Sequence, residues 1–233
     1  MKKLISLFCF AGVVSLGTSV EANNKVVVIP LGSSAGIALN QTCPLGSQMI
    51  GIGGTGNIIC NTDYKSIVFV TSTSHTGALG GLTGADAICN SLAAAASLPG
   101  TYMAWLSDST MSPSSRFTTQ PNRRYVTTER TIIAYNWADL IDGNLNAPIR
   151  TDENGVYENV TGIEVWSNTI ADGTNIPLNH CNDWSNSSDT EHGFFGNMTA
   201  VDEWWTDSTY GGGAPGLWRE CDNYLRLYCF QQY

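Results

Sequence analysis

Histidine, serine and carboxylate side chains are the groups of this sequence that could carry out acid–base or nucleophilic chemistry. The three histidines are His75, His180 and His192. A Ser-His-Asp triad does not need its members close together in the sequence, so spacing alone does not exclude one. No serine or carboxylate stands out as a partner, and His180 adjoins Cys181, which favours a structural role beside a disulfide. We therefore predict a protein without enzymatic activity and keep an enzyme as the less favoured alternative.

Asp152, Asn154 and Glu158 carry the oxygen ligands that calcium prefers. Their spacing is not that of an EF-hand loop. Aspartate, asparagine and glycine also form turns readily, and Gly155 lies within the group. The sequence thus favours a turn here and predicts no cofactor, with calcium as the alternative.

Aromatic and arginine side chains dominate the binding energy of many protein interfaces, and two groups of them are candidates for ligand binding. Trp204, Trp205 and Tyr210 lie beside the glycines at 211–213. A strand through the two tryptophans would bury one and expose the other. The second group consists of Arg116, Arg123, Arg124 and Arg130. The tryptophans expected in the core are Trp105, Trp137 and Trp218.

The N-terminus has the pattern of a secretory signal peptide. Lys2 and Lys3 precede the short apolar stretch 4–16, and residues 20–22 (Val-Glu-Ala) offer small side chains to a signal peptidase. The apolar stretch is shorter than the roughly 20 residues of a membrane span. We predict an exported chain that is cleaved after Ala22 and has no span in its mature part. Its predicted location is the outer-membrane surface, the periplasm or the cell exterior.

The negative net charge of the chain argues against nucleic acid as a partner. The formal net charge is −9, and removal of Lys2, Lys3 and Glu21 makes it −10. Such a surface repels phosphate backbones, so we predict no nucleic-acid binding.

Cysteine usage predicts disulfides. Of the seven cysteines, Cys9 is lost with the signal peptide, and an even number in an exported chain favours disulfide pairing. Structural zinc prefers pairs such as Cys-x2-Cys, which this sequence lacks. Sequence alone does not choose among the pairings. The six remaining cysteines are Cys43, Cys60, Cys89, Cys181, Cys221 and Cys229.

Residues 23–64 predict a small N-terminal segment. Residues 25–30 favour a strand, and a polar linker follows. Between Cys43 and Cys60, two short apolar runs flank a glycine-rich turn, which predicts a β-hairpin. Because an isolated hairpin is marginal in water, we expect a Cys43–Cys60 disulfide to support it.

Residues 65–233 predict one α+β domain with long loops. A strand is expected at 66–71, and a helix at 83–97 with Thr83 as its cap and Asp86 as the acid of a capping box. The next strand is expected at 101–107. Shorter strands are predicted at 131–134, 163–166, 192–198, 203–206, 218–221 and 225–230.

Five segments in fixed order carry a family resemblance. They are residues 68–71 (VFVT), 80–89 (GGLTGADAIC), 104–108 (AWLSD), 136–140 (NWADL) and 227–230 (LYCF). Together they resemble the DUF1554 family of bacterial domains, which includes the leptospiral endostatin-like outer-membrane proteins. The resemblance covers about residues 65–233.

The resemblance implies a C-type-lectin-like, endostatin-like fold, preceded here by the small stapled hairpin. In such domains the cysteine of the first helix pairs with the last cysteine, and an inner pair closes the loop region. The implied disulfides are Cys89–Cys229 and Cys181–Cys221. The leptospiral relatives are adhesins, so the resemblance implies a surface or secreted binding module for a protein or glycan ligand, such as an extracellular-matrix or host protein.

A calcium-dependent lectin is the alternative within this fold. Such lectins carry Glu-Pro-Asn or Gln-Pro-Asp and then Trp-Asn-Asp. The segments at 120–122 (Gln-Pro-Asn) and 182–184 (Asn-Asp-Trp) depart from this pattern in composition, order and separation. These departures favour a proline turn and a loop at the two segments, and hence the binding module over the calcium-dependent lectin.

Overall fold

The computed structural model describes residues 64–159, 164–178, 180–209 and 217–232 in full, together with the backbone of five strands nearer the N-terminus. The chain divides into two compact units, Met1–Tyr64 and Lys65–Tyr233. The predicted Cys43–Cys60 disulfide lies outside the described residues. No helix in the described ranges has the length and apolar character that a membrane span requires.

The first unit contains two small antiparallel sheets. Strands β1 (Leu7–Phe10), β2 (Val13–Ser19) and β3 (Val26–Pro30) form one. Strands β4 (Gln48–Ile52) and β5 (Ile58–Asn61) form the other, with a register shift between Met49 and Gly51. The two strands of the predicted hairpin thus pair with each other.

A five-stranded mixed sheet is the centre of the second unit. Its order is β7 (Thr101–Ala104), β14 (Tyr228–Gln232), β6 (Lys65–Val70), β8 (Arg124–Thr127) and β9 (Ile132–Ala134). Only the β6–β8 pair is parallel. The first and last strands of the unit are therefore neighbours in the middle of the sheet.

The remaining elements of this unit are short, apart from one helix. Helix α1 spans Gly81–Ala95, whereas the others are single turns. The single turns are α2 (Pro113–Arg116), α3 (Trp137–Leu140), α4 (Cys181–Trp184) and a 3₁₀ helix (Glu203–Trp205). The outer strands are β10 (Glu164–Trp166), β11 (His192–Gly193), β12 (Phe195–Asn197) and β13 (Arg219–Glu220). The α+β class is thus confirmed.

Both faces of the central sheet are buried. In β6, Phe69 belongs to one apolar cluster, whereas Val68 and Val70 belong to another, as alternation along a strand requires. Strand β14 repeats this, with Cys229 on the first face and Phe230 on the second. Consecutive apolar residues in both strands follow from this burial on two sides.

Helix α1 covers the first face and begins earlier than predicted. It buries Ala85, Cys89 and Ala93, which lie one above the other at i, i+4 and i+8. The predicted Thr83 cap and capping box are wrong. The N-cap residue is Gly80, which has a φ of 82° that favours glycine, and no side chain caps the helix.

Asp86 instead protects the edge of the sheet. Its Oδ1 accepts a hydrogen bond from the backbone N–H of Ala104 at 2.9 Å, and its Oδ2 pairs with Arg116. One turn later, Asn90 exchanges two hydrogen bonds with the backbone of Tyr102. Two side chains of α1 therefore bond the free edge of β7 as a neighbouring strand would, which blocks pairing with another chain.

Candidate ligand-binding surface

A long loop region connects β9 to the closing strand β14, and a disulfide holds it. Cys181 and Cys221 are fully buried and bonded, as are Cys89 and Cys229. Both bonds are the pairs that the family resemblance implies. Glycine is required beside the inner bond, because a Cβ at Gly77 would collide with Cys181 Sγ and one at Gly193 would lie 3.1 Å from it. Closing this 40-residue loop is worth about 4 kcal/mol in the chain-entropy model.

Four turns of this domain share one local design with the sequence Asp/Asn-x-Thr. In each, the first side chain accepts hydrogen bonds from both the backbone N–H and the hydroxyl of the threonine. The turns begin at Asp108, Asp172, Asn197 and Asp207. Such Asx turns provide local hydrogen-bond partners for backbone N–H groups in segments without regular secondary structure. The three-residue pattern is visible in the sequence, but these turns were not among the predicted features.

A buried hydroxyl network joins the loops to the core. Ser167 Oγ lies 2.7 Å from Thr206 Oγ1, and Ser107 Oγ lies 2.7 Å from Thr169 Oγ1. The indole N–H of Trp105 donates to Thr206 Oγ1 at 2.7 Å. All five side chains are fully buried. Because the hydroxyls bond one another and nearby carbonyls, this network is structural.

The α4 turn is left-handed. Its four residues have φ values of 50° at Cys181, 52° at Asn182, 52° at Asp183 and 61° at Trp184. Left-handed helical geometry costs about 1–2 kcal/mol per non-glycine residue. The turn is held by the disulfide, by burial of Trp184 and by a 2.7 Å hydrogen bond from the Trp184 indole to Ser107 O.

Ser109, Asp183 and His180 meet at this turn, but in the wrong order for a catalytic triad. The Asp183 carboxylate accepts from the backbone N–H and the hydroxyl of Ser109 at 2.8 and 3.0 Å. His180 Nδ1 accepts from the backbone N–H of Asp183 at 2.8 Å. A triad requires the imidazole between the serine and the acid, whereas here the acid lies between the other two. The arrangement fixes the turn and does not activate the serine.

The other two histidines also have structural contacts. His75 Nε2 lies 2.9 Å from Thr73 Oγ1, and its carbonyl accepts from the Trp166 indole. Partial burial lowers the pKa of His75 because desolvation penalises the charged imidazolium. His192 packs edge-on against Trp218, with ring centroids 5.4 Å apart. Trp218 was predicted to lie in the core, but it is half-buried. The other two predicted core tryptophans fit better, since Trp105 is fully buried and Trp137 packs against the second apolar cluster.

The four candidate arginines do not form one surface. Arg116 ion-pairs with Asp86, and only 7% of its side chain is exposed. Arg123 is also buried and donates to Lys65 O at 3.2 Å. These two side chains are therefore engaged inside the domain, contrary to their expected place on a binding surface. Arg124 lies over the Tyr135 ring at 5.9 Å, and Arg130 is exposed at the turn between β8 and β9.

Asp152, Asn154 and Glu158 form a turn whose carboxylates bind protein donors. Asp152 Oδ1 accepts from the backbone N–H groups of Asn154 and Val156. Glu158 ion-pairs with Arg226 at 2.9 Å. No cluster of three metal-ligating side chains occurs within the described ranges. The geometry agrees with the turn that the sequence favoured.

Trp204 and Trp205 lie in a 3₁₀ helix, not in the predicted strand. Asp202 caps this helix by accepting from the Trp204 N–H at 3.3 Å. Trp205 is fully buried against Trp105 and Tyr228, and the Tyr228 hydroxyl donates to its carbonyl. Burial also raises the pKa of Tyr228 well above its usual value. Trp204 is half-buried and belongs to neither apolar cluster. Tyr210 lies outside the described residues.

A neighbouring loop packs against the segment that contains the 3₁₀ helix of Trp204. The backbone N–H of Leu145 donates to Val201 O at 2.6 Å, and the Glu203 side chain packs on Gly143. Asp139 Oδ2 accepts hydrogen bonds from the Tyr135 N–H and from the Asn146 side-chain amide, so it connects the residues that follow β9 to the loop that contacts Val201. We call this region the Trp204 surface. It consists of Tyr135, Asp139, Asp142, Val201, Asp202, Glu203 and Trp204.

Exposed apolar groups on this surface were not among the predicted site residues. Tyr135 is 51% exposed and Val201 is 42% exposed. Nothing in the local sequence distinguishes them from core residues, since Tyr135 directly follows a buried strand. Val201 is close to Trp204 in the sequence, whereas Tyr135 is linked to that segment only through the loop that contains Asp139 and Asn146.

The family assignment rests on a match to a known domain family. The family described as protein of unknown function (DUF1554) matches residues 72–201, more than half of the chain. The chain belongs to the DUF1554 family. A search of curated proteins found no match to the chain.

The DUF1554 match ends before the fold does. It contains α1 and the left-handed α4 turn, but neither Cys221 nor Cys229. The match also omits Trp204 and the central strand β14. In this DUF1554 member, the structural unit therefore spans Lys65–Tyr233.

Proposed function

We propose that this chain is an exported, non-enzymatic binding module that recognises a protein or glycan ligand at the cell surface or outside the cell. The observation that carries the proposal is Trp204, a tryptophan outside both apolar clusters on a helix that the fully buried Trp205 anchors. A large aromatic side chain on a rigid support is typical of binding hot spots, because little entropy is lost when it is covered.

The loop region supports the proposal. Long connections without regular structure are uncommon in compact domains, and ordered ones usually carry function. Here the disulfide, the Asx turns and the hydroxyl network hold them in place. Rigid loops on a scaffold are suited to recognition.

We propose in addition that the domain has a C-type-lectin-like, endostatin-like fold, as in the leptospiral adhesins it resembles. Adjacent first and last strands, a disulfide from the first helix to the last strand and a second disulfide across the loops support this assignment. An extracellular-matrix or host protein is the class of ligand that this relationship favours. Because one fold hosts many functions, binding needs its own test.

The test is a binding screen with the full chain lacking its signal peptide, against arrays of extracellular-matrix proteins and glycans. We expect a ligand whose binding Trp204→Ala weakens by about tenfold or more, as hot-spot truncations do. Tyr224→Ala is the matched control, because Tyr224, at 72%, is the most exposed large hydrophobic residue in the part of the chain that the structure describes.

Two outcomes would count against the proposal. If no ligand binds, or if Trp204→Ala binds as the unchanged chain does, this surface is not a recognition site. Binding that a chelator abolishes would favour the calcium-dependent lectin instead.

A further inference from the structure

Charge is unevenly distributed along this chain. Between Arg150 and Arg219 there is no lysine or arginine, whereas eleven aspartates and glutamates occur. Random mixing of the two signs is usual on protein surfaces, and a long segment of one sign produces a field that selects partners of opposite charge. This segment contains α4, the 3₁₀ helix and most of the loop region.

The Trp204 surface combines two acids of this segment, Asp202 and Glu203, with two acids of an earlier loop, Asp139 and Asp142. Asp142 and Asp202 are exposed, and Glu203 is half-buried against Gly143. Asp139 adds a fourth carboxylate. The guanidinium of Arg124 lies over the ring of Tyr135 at 5.9 Å, so one basic group contacts this surface.

The chemistry of the surface matches one kind of side chain. Lysine and arginine combine a positive head with an apolar stem, and their heads bind both carboxylates and the faces of tryptophan rings. Trp204 and Val201 offer apolar contact, while Asp142, Asp202 and Glu203 offer charge. We infer that the Trp204 surface binds a polypeptide segment rich in lysine and arginine. This inference rests on the proposed function and specifies the ligand class of the same site.

The experiment measures binding of an oligolysine peptide to the full chain lacking its signal peptide, at physiological ionic strength. The site variant is Asp142→Asn with Asp202→Asn and Glu203→Gln, which removes three charges. Asparagine keeps the acceptor that Asp142 gives to Asn144 N–H and that Asp202 gives to Trp204 N–H. The turns should therefore survive, and circular dichroism and the melting temperature verify this.

The matched control is Asp172→Asn with Asp189→Asn and Glu191→Gln. These three side chains are exposed, and their replacement removes the same charge from other loops. We expect the site variant to weaken oligolysine binding by about tenfold or more and the control to change it by less than about threefold. Added salt should weaken binding to the unchanged chain much more than binding to the site variant.

Three results would overturn the inference. Oligolysine does not bind, or the site variant binds it as well as the unchanged chain does, or both variants lose affinity equally because net charge alone attracts the peptide. If the array screen nevertheless yields a ligand that depends on Trp204, the proposed function stands and only the basic ligand class is wrong. If neither oligolysine nor any arrayed ligand binds, both fail.

Discussion

At the scale of single residues, Asp86 shows how a polar side chain can complete a sheet. Its carboxylate forms an ion pair with the nearly buried Arg116 and accepts a hydrogen bond from the Ala104 N–H at the edge of β7. We expect Asp86→Ala to lower the free energy of unfolding by about 3 kcal/mol, because it leaves a buried charge and a buried donor unpaired. Asp86→Asn should cost less, since it keeps an acceptor for Ala104. Urea denaturation measures both, with the exposed Asp189→Asn as control. Equal stability of all three variants would contradict this role.

His75 gives the stability a pH dependence. Desolvation lowers the pKa of its folded-state imidazole, so between the folded and unfolded pKa values the unfolded chain binds more protons. Stability from this group is therefore complete above the unfolded pKa and is lost as pH falls toward the folded value. We expect His75→Gln to flatten the stability curve between about pH 5 and 7. Urea denaturation across that range measures it, and parallel curves for both proteins would show that His75 contributes nothing.

At the scale of elements, the left-handed α4 turn is the most strained segment described. Asn182 is exposed within it and tolerates its φ of 52° better than most residues. We expect Asn182→Val to lower the free energy of unfolding by about 2 kcal/mol, because a β-branched side chain resists this geometry. Asn182→Gly serves as the matched control and should change stability by less than about 1 kcal/mol. Thermal unfolding compares them, and equal losses would mean that the backbone strain is not the cause.

The regular elements were predictable because their patterns are local. Strand β6 and helix α1 lie where apolar runs and periodicity placed them, with ends shifted by one or two residues. The 3₁₀ helix was missed because a capped turn of three residues has no periodicity, although Asp202 supplies its cap. The edge-binding role of Asp86 was missed because it depends on β7 lying beside α1. The left-handed turn was also missed, since no glycine marks it.

Some candidate site residues could be identified from the sequence, and others could not. The aromatic character of Trp204 made it a candidate from sequence, and the structure leaves it half-buried. The arginines were grouped because they are near one another in the sequence, but Arg116 and Arg123 turn inward, where an acid and a carbonyl bind them. Proximity along the chain does not determine which side of a sheet or loop a side chain occupies.

At the scale of the whole molecule, the two disulfides should make unequal contributions to the free energy of unfolding. Replacing Cys181 and Cys221 by serine should lower the free energy of unfolding by about 2–5 kcal/mol, which corresponds to roughly 10 °C in melting temperature. The Cys89 and Cys229 pair closes 140 residues, and its loss should cost at least as much. Calorimetry of both double variants measures this. The opposite ranking would show that the inner bond supports more than its own loop.

Hydrogen exchange separates the two effects. Loss of the Cys181–Cys221 bond should raise the amide exchange rate chiefly in the loops around α4. The sheet should stay protected, because β14 still pairs with β6 and remains linked to α1 by the other disulfide. Uniform acceleration across the sheet would contradict a local role.

The position of β14 has a consequence for biosynthesis. A ribosome makes β6, α1 and β7 first, whereas β14 (Tyr228–Gln232), which separates β6 from β7 in the sheet, follows only after the loop region. Until β14 emerges, β6 and β7 have no strand between them and Cys89 lacks Cys229, its disulfide partner. The central sheet therefore cannot close until the loop region between β7 and β14 has been synthesised. A premature stop codon between β13 and β14 would remove a central strand of the sheet and not a marginal one.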